Sequence, residues 1–256
     1  MNPRANTRTN ILMDTRRIAV PGLPNVRDLG GLRGPDGGYF RRGLVLRGPA
    51  PSPDTAPALD GLGVRTVVDL RLEHERRQYP GPESTGATVL PRPVAGDMSR
   101  IRGNVRPLPS DYLANYRDML TRAAPVAAEI VGLLADDAEV PVYVCCAMGK
   151  DRTGVVSALV LRALGVRTAD VARDYALTAR AYRALRSGDP RPRWTREDSL
   201  AQLRLRTSTP AATMRALIAG IEAGHGSVAR LLTLHGLQEE TRLRAVAGAF
   251  THPVHP

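Results

Sequence analysis

Apolar positions along the chain follow two different spacings, and the spacing changes along its length. Leu44-Val45-Leu46 and Thr88-Val89-Leu90 predict short strands. Val64 to Leu70 (VRTVVDL) predicts a buried, Val-rich strand, and Val140 to Cys145 (VPVYVC) is a second apolar run of the same kind. Leu59 to Leu62 reads as the close of a helix that Gly63 terminates, and Glu73 to Gln78 as a short charged helix. Residues 80 to 109 are rich in Pro and Gly and predict mainly loop.

From Asp111 the spacing becomes helical. Tyr112, Leu113, Tyr116 and Leu120 share one face, and Val126, Ile130, Leu133 and Leu134 repeat the pattern in the next segment. Thr153 to Leu164 is apolar on most sides and predicts a buried helix. Helical patterns run to about residue 186, where Gly188-Asp189-Pro190-Arg191-Pro192 interrupts them. Trp194 to Arg206 reads as a basic helical stretch, and two or three helices complete the chain. No internal repeat occurs. Strands alternating with helices imply an α/β sheet with a helical C-terminal part.

Composition narrows this picture. At 256 residues and 43% hydrophobic, the chain suits one large folded domain. Aromatics make up only 4%, so the core must rest on Val, Leu, Ile and Ala. No apolar run reaches the length of a membrane span, and Met1 to Arg17 lacks the apolar stretch of a signal peptide. The expectation is a disordered lead-in over 1–17, one domain over 18–256, and a cytoplasmic protein without stable membrane insertion. The two cysteines, Cys145 and Cys146, are adjacent, which suits neither a structural disulfide nor zinc-ligand spacing. The five histidines show no ligand spacing either, so no metal site is expected.

The net charge of +11 points to anionic partners, although most of it is arginine spread along the chain. The single lysine, Lys150, stands out, because it falls within the segment richest in reactive groups.

That segment is Val142-Tyr143-Val144-Cys145-Cys146-Ala147-Met148-Gly149-Lys150-Asp151-Arg152-Thr153-Gly154. A strand ends in a cysteine, a short loop follows, and a buried helix begins. Such a turn aims backbone N–H groups and a positive helix end at one spot, where an oxyanion can bind and a thiolate is favoured. Arg152 lies six positions after Cys146, whereas Asp151 holds that place relative to Cys145, so the spacing selects Cys146 as nucleophile. Arginine's planar fork suits phosphate oxygens. Gly149 permits tight curvature, and Thr153 can donate to the thiolate and start the helix.

The run AMGKDRTG after Cys146 resembles the signature of protein tyrosine phosphatases, above all the bacterial dual- or triple-specificity branch typified by mycobacterial protein tyrosine phosphatase B. Asn25-Val26-Arg27-Asp28-Leu29-Gly30-Gly31 resembles that family's N-terminal motif, and Leu62-Gly63-Val64 with Val67-Val68-Asp69-Leu70-Arg71 resembles its next strand. The sequence departs from the pattern at Cys145, where the family carries His, and at Met148, where it carries Ala.

The resemblance implies a cysteine-phosphatase-like fold, with a mostly parallel sheet flanked by helices and a lid-like helical segment at about 168–207. It implies a phosphomonoester hydrolase that needs no cofactor. Cys146 would attack phosphorus, Arg152 would hold its oxygens, and Asp151 would act as acid and then base. Ala147, Met148, Gly149, Lys150, Thr153 and Gly154 would complete the phosphate cradle, and Arg27 and Asp28 would shape the pocket or else cap a turn. Asp69 reads as an anchor of its strand end. The arginines at 183, 186, 191, 193 and 196 could meet an acidic substrate or form a solvated face. The substrate class stays open between phosphotyrosine or phosphoserine/threonine proteins, phosphoinositides, and small phosphate esters. An inactive phosphate-binding protein is a further reading, but one that would need neither the thiol nor the acid. The helix, glycine and helix outline over Val228 to Val246 is a common packing unit, and no nucleic-acid partner is expected. Oligomeric state is not legible.

Overall fold

A computed structural model describes residues 15–97, 101, 108–192 and 195–251. Its sheet is built from β1 (Arg27–Asp28), β3 (Val45–Pro49), β4 (Thr66–Asp69), β5 (Thr88–Pro91) and β6 (Val142–Cys146), in the order β1-β3-β6-β4-β5. β1 runs antiparallel to β3, and every other pairing is parallel. β6 therefore lies at the centre with a parallel neighbour on each side, which brings the carboxyl ends of β3, β4 and β6 to one edge. In open parallel sheets this edge is where ligands bind. A separate pair, β2 (Tyr39–Phe40) with β7 (Phe250–Thr251), ties the end of the described chain to its beginning.

The helices are α1 (Pro57–Asp60), α2 (Glu73–Gln78), α3 (Pro109–Leu133), α4 (Asp151–Ala163), α5 (Thr168–Arg183), α6 (Leu200–Arg206), α7 (Ala211–His225), α8 (Val228–Thr233) and α9 (Glu239–Ala249). Side chains alternate across the sheet because strand residues point to opposite faces in turn. Val142, Val144 and Cys146 of β6 join the large core formed with α3, α4, α5, α7 and α8. Tyr143 and Cys145 join a smaller cluster with Leu23, Val26, Leu46, Leu59, Val64 and Val67. The run VPVYVC is apolar throughout because both faces are covered.

Several sequence expectations need correction. The two helical segments after Asp111 are one 25-residue helix, α3, with Pro125 inside it. An interior proline costs about 3 kcal/mol, and eleven buried residues, among them Tyr116, Met119, Ile130 and Val131, offset that by packing on the core. The helix expected to end at Gly63 is the four-residue α1, which closes at Gly61. Among the described residues of the basic stretch over 194–206, the α-helix is confined to α6, with Thr195 in a 3-10 turn; Arg193 and Trp194 lie outside the described residues. Residues 1–14 of the expected lead-in also lie outside them. Arg16 and Arg17, however, belong to the fold. Arg17 bridges to Arg27, and Arg16 is buried against Asp174. The expected lid is heterogeneous: α5 has eight buried residues, whereas α6 has one, Leu203.

Candidate active site

β6 ends at Cys146 and α4 begins at Asp151, so four residues turn the chain from strand to helix. α4 buries ten of its thirteen residues, which fixes the direction of its N-terminus. Among the described residues, no backbone N–H of residues 147–150 donates to another group. Four donors of a short loop and the first turn of a helix thus remain unused beside Cys146, which is 3% exposed.

The turn demands glycine. Gly149 has φ of +61°, and a Cβ there would lie 2.3 Å from the carbonyl carbon of Gly48 at the end of β3. Gly154 is tight for a different reason: its Cβ would meet the Tyr175 ring at 3.0 Å. It serves helix packing. The helix itself starts two residues earlier than expected. Lys150 holds the cap position, and Thr153 is the third residue of α4 rather than its cap. The Thr153 hydroxyl oxygen is buried with no hydrogen-bond partner among the described residues.

Charged residues at the rim of the loop are each gripped. Arg152 donates to both oxygens of Glu75 on α2, at 2.5 and 2.8 Å. Burial opposes the Arg152 cation, but the Glu75 hydrogen bonds and the nearby Cys146 thiol outweigh it, and its pKa is raised. Burial likewise opposes the Glu75 carboxylate, and the bonds from Arg152 hold its pKa below the usual range. Asp151 accepts a 2.5 Å hydrogen bond at Oδ1 from the hydroxyl of Tyr116, which lies 2.6 Å from that of Tyr175. Both tyrosines sit above their usual pKa, chiefly through burial and then through the Asp151 charge, so they remain protonated near neutral pH. Lys150 is buried. Its ammonium donates to the carbonyl of Arg206 at 2.7 Å, stands 4.2 Å from the Tyr112 ring centre, and lies 3.4 Å from Asp151 Oδ1.

A second cluster lies behind the loop. Asp174 of α5 accepts hydrogen bonds from Arg16 at 3.0 Å, Arg27 at 2.9 Å and Arg47 at 3.0 Å. Burial opposes the Asp174 charge, and three arginines overcome it, holding the carboxyl far below the usual carboxylate range. Arg47 is pushed down to about 10, first by burial and then by Arg27, and is still charged at neutral pH. Its second nitrogen donates to the carbonyl of Gly149 at 2.9 Å.

The residues expected from the resemblance therefore fall into three groups. Cys146, Ala147, Met148, Gly149, Asp151, Arg152 and Thr153 lie together on the turn from β6 into α4. Lys150 is in the loop, but its ammonium is engaged by Arg206 and Tyr112. Arg27 and Asp28 do not reach the loop directly. Arg27 acts through Asp174 and Asn25, while Asp28 receives the N–H groups of Gly30 and Gly43 and holds a turn. Cys145 faces the smaller cluster, across the sheet from Cys146, and burial with the Asp69 charge raises its pKa well above the ordinary thiol value. Asp69 is paired with Arg71 at 2.6 Å, as an anchor of its strand end should be.

Glu75, Tyr116, Arg47, Tyr182 and Asp174 were not singled out from sequence. From sequence, Asn25 reads only as one member of a motif. A cleft of about 350 Å³ is lined by Arg191, Arg196 and Ala50, whose N–H donates to the Cys146 carbonyl at 2.7 Å, but by no residue of the loop itself.

Comparison with known proteins fits this geometry. A family model described as the tyrosine phosphatase family matches residues 18–247. A candidate tyrosine-protein phosphatase of Cupriavidus necator is 33% identical over 174 residues, covering 62% of this chain and 61% of the relative. A tyrosine-protein phosphatase of Nostoc commune is 28% identical over 132 residues, covering 48% of this chain and 42% of the relative. The chain thus spans less than two thirds of the length of either relative. With the match running from β1 through nearly all of α9, the chain belongs to the tyrosine phosphatase family.

Proposed function

We propose that this protein hydrolyses phosphate monoesters through a phosphocysteine on Cys146. The observation that carries the reading is the arrangement around that thiol: four unused loop N–H groups, a helix N-terminus, and an arginine held in place by Glu75. The thiolate attacks phosphorus in line. An S–P bond forms, the bond to the ester oxygen breaks, and the leaving oxygen takes its proton from Asp151. Tyr116 holds Asp151 Oδ1, which leaves Oδ2 to carry that proton. Arg152 and the loop N–H groups stabilise the equatorial oxygens. Asp151 then accepts a proton from water as it attacks the phosphocysteine, phosphate leaves, and the thiolate returns. The Thr153 hydroxyl, buried and unpartnered among the described residues, is a suitable donor to that thiolate. Nucleophile, acid and oxyanion donors are all supplied by the chain, so the scheme calls on no cofactor.

The substrates proposed are phosphotyrosine or phosphoserine/threonine proteins, or phosphoinositides. Turnover of para-nitrophenyl phosphate in EDTA, by the wild type beside Cys146→Ser, tests the mechanism. Activity in the wild type, with a loss of roughly 10⁴-fold or more in the variant, is expected. Equal activity in both proteins would refute the phosphocysteine.

A further inference from the structure

Two loop carbonyls are held from outside, whereas the N–H groups of residues 147–150 have no partner among the described residues. The Met148 carbonyl accepts from the Tyr182 hydroxyl at 2.8 Å and from Asn25 Nδ2 at 3.5 Å. The Gly149 carbonyl accepts from Asn25 Nδ2 at 3.0 Å and from Arg47 at 2.9 Å. In a planar trans peptide the C=O and the following N–H point in opposite directions. Fixing the carbonyls of Met148 and Gly149 toward these three side chains therefore turns the N–H groups of Gly149 and Lys150 the other way, into the concave side of the loop.

All three holders trace back to one stripe of α5. Asp174, Thr178 and Tyr182 are spaced four apart and are each at most 1% exposed, so they form one buried face. Tyr182 reaches the loop directly. Asp174 orients Arg47, which bonds Gly149. Asp174 and Thr178 also orient Arg27, whose guanidinium donates to Asn25 Oδ1 and so fixes which end of that amide faces the loop. Asn25 itself sits at φ of +74°, an unusual backbone for a side-chain-bearing residue, and its amide reaches both carbonyls.

We infer that α5 is the positioning element of the oxyanion site: Tyr182 directly, and Asp174 through Arg47 and through Arg27 and Asn25, set the direction of the two peptide N–H donors in the loop. None of these residues touches substrate. This inference rests on the reading of the loop as an oxyanion site, and it gives α5 the role of a fixed backing rather than of a lid. The conformation of a glycine-containing loop is soft, and donors that are not preorganised must be reorganised at the moment of reaction.

Tungstate binding by calorimetry tests this without requiring turnover. Tyr182→Phe removes only the hydroxyl, and Asn25→Gly removes the amide while accepting the positive φ. Each is expected to weaken tungstate binding about tenfold and to lower kcat for para-nitrophenyl phosphate comparably, with the unfolding midpoint within about 3 °C of wild type. A role limited to packing would move the midpoint and leave the tungstate affinity alone, and that result, in either variant that folds, would overturn the inference. Wild-type protein that binds no tungstate would sink the oxyanion reading and this inference with it. Wild-type binding with both variants unchanged would sink the inference only.

Discussion

The two sides of the Cys146 loop are built from the same kinds of ion pair and differ in what surrounds them. Behind the loop, Asp174 is 1% exposed and meets three arginines, two of them at most 3% exposed. At the rim, Arg152 and Glu75 are 16% and 18% exposed and form a one-to-one ion pair. The rear cluster carries more positive than negative charge in a buried site, so losing Asp174 leaves like charges facing each other with little solvent screening. The rim pair can be rehydrated if broken. On the proposed reading, the rear cluster carries more of the stability and backs the loop, while the rim arginine is the one placed to meet the oxyanion directly.

Asp174→Ala is the sharpest way to break this contrast. Leaving Arg16, Arg27 and Arg47 unpaired should cost about 3–5 kcal/mol and lower the unfolding midpoint by about 10 °C. The same group predicts a pH dependence. Its folded pKa lies below the unfolded value near 4, so its contribution is complete above that pH and is lost as pH falls further. Thermal melts between pH 7 and 3 should fall steeply below about pH 4 in the wild type and less so in the variant. A variant as stable as wild type would abolish the distinction between the two sides.

Glu75→Gln probes the rim. It removes the charge opposite Arg152 but keeps the size of the side chain. The midpoint should shift by no more than about 3 °C, because the pair is partly hydrated. The value of kcat/KM for para-nitrophenyl phosphate should fall about tenfold as the guanidinium loses its fixed orientation. A large stability loss without a kinetic effect would reverse the assignment of the two sides.

The smallest effect is expected at Cys145→Ala. That thiol lies in the smaller cluster across the sheet from Cys146, so the cost is a small cavity of about 1 kcal/mol. Steady-state turnover should stay within about twofold of wild type. Loss of activity comparable to that of Cys146→Ser would mean that the nucleophile had been assigned to the wrong cysteine.

Which parts of the site were legible follows from how far apart in the chain their members lie. Cys146, Gly149, Asp151 and Arg152 fall within seven residues, and the local path from strand to helix keeps them on one turn. Arg152 and Glu75 are 77 residues apart, and Arg47 and Gly149 are 102 apart. Glu75 read only as one charge in a short polar helix. Arg47 lay in a chain with so many arginines that no single one stood out. Asp28 illustrates the converse: its motif left pocket and turn equally open, and only the fold shows its carboxylate serving the turn at Gly30 and Gly43.

The fold divides in the same way. The sequence by itself located β3, β4, β5, β6 and the buried helix α4, because period-2 and period-3.6 patterns are local, though not the two-residue strands β1, β2 and β7, and it determined which cysteine lies six positions before Arg152, because that is a matter of counting. Only the tertiary structure decided that α3 runs through Pro125, since the compensation comes from core packing against other elements. It also decided that Arg16 belongs to the domain, that Cys145 and Cys146 point to opposite faces, and that α5 stands behind the loop. Those facts depend on which strands pair and which faces meet. A buried carboxylate such as Asp174 becomes favourable only once three arginines from distant segments have been brought to it.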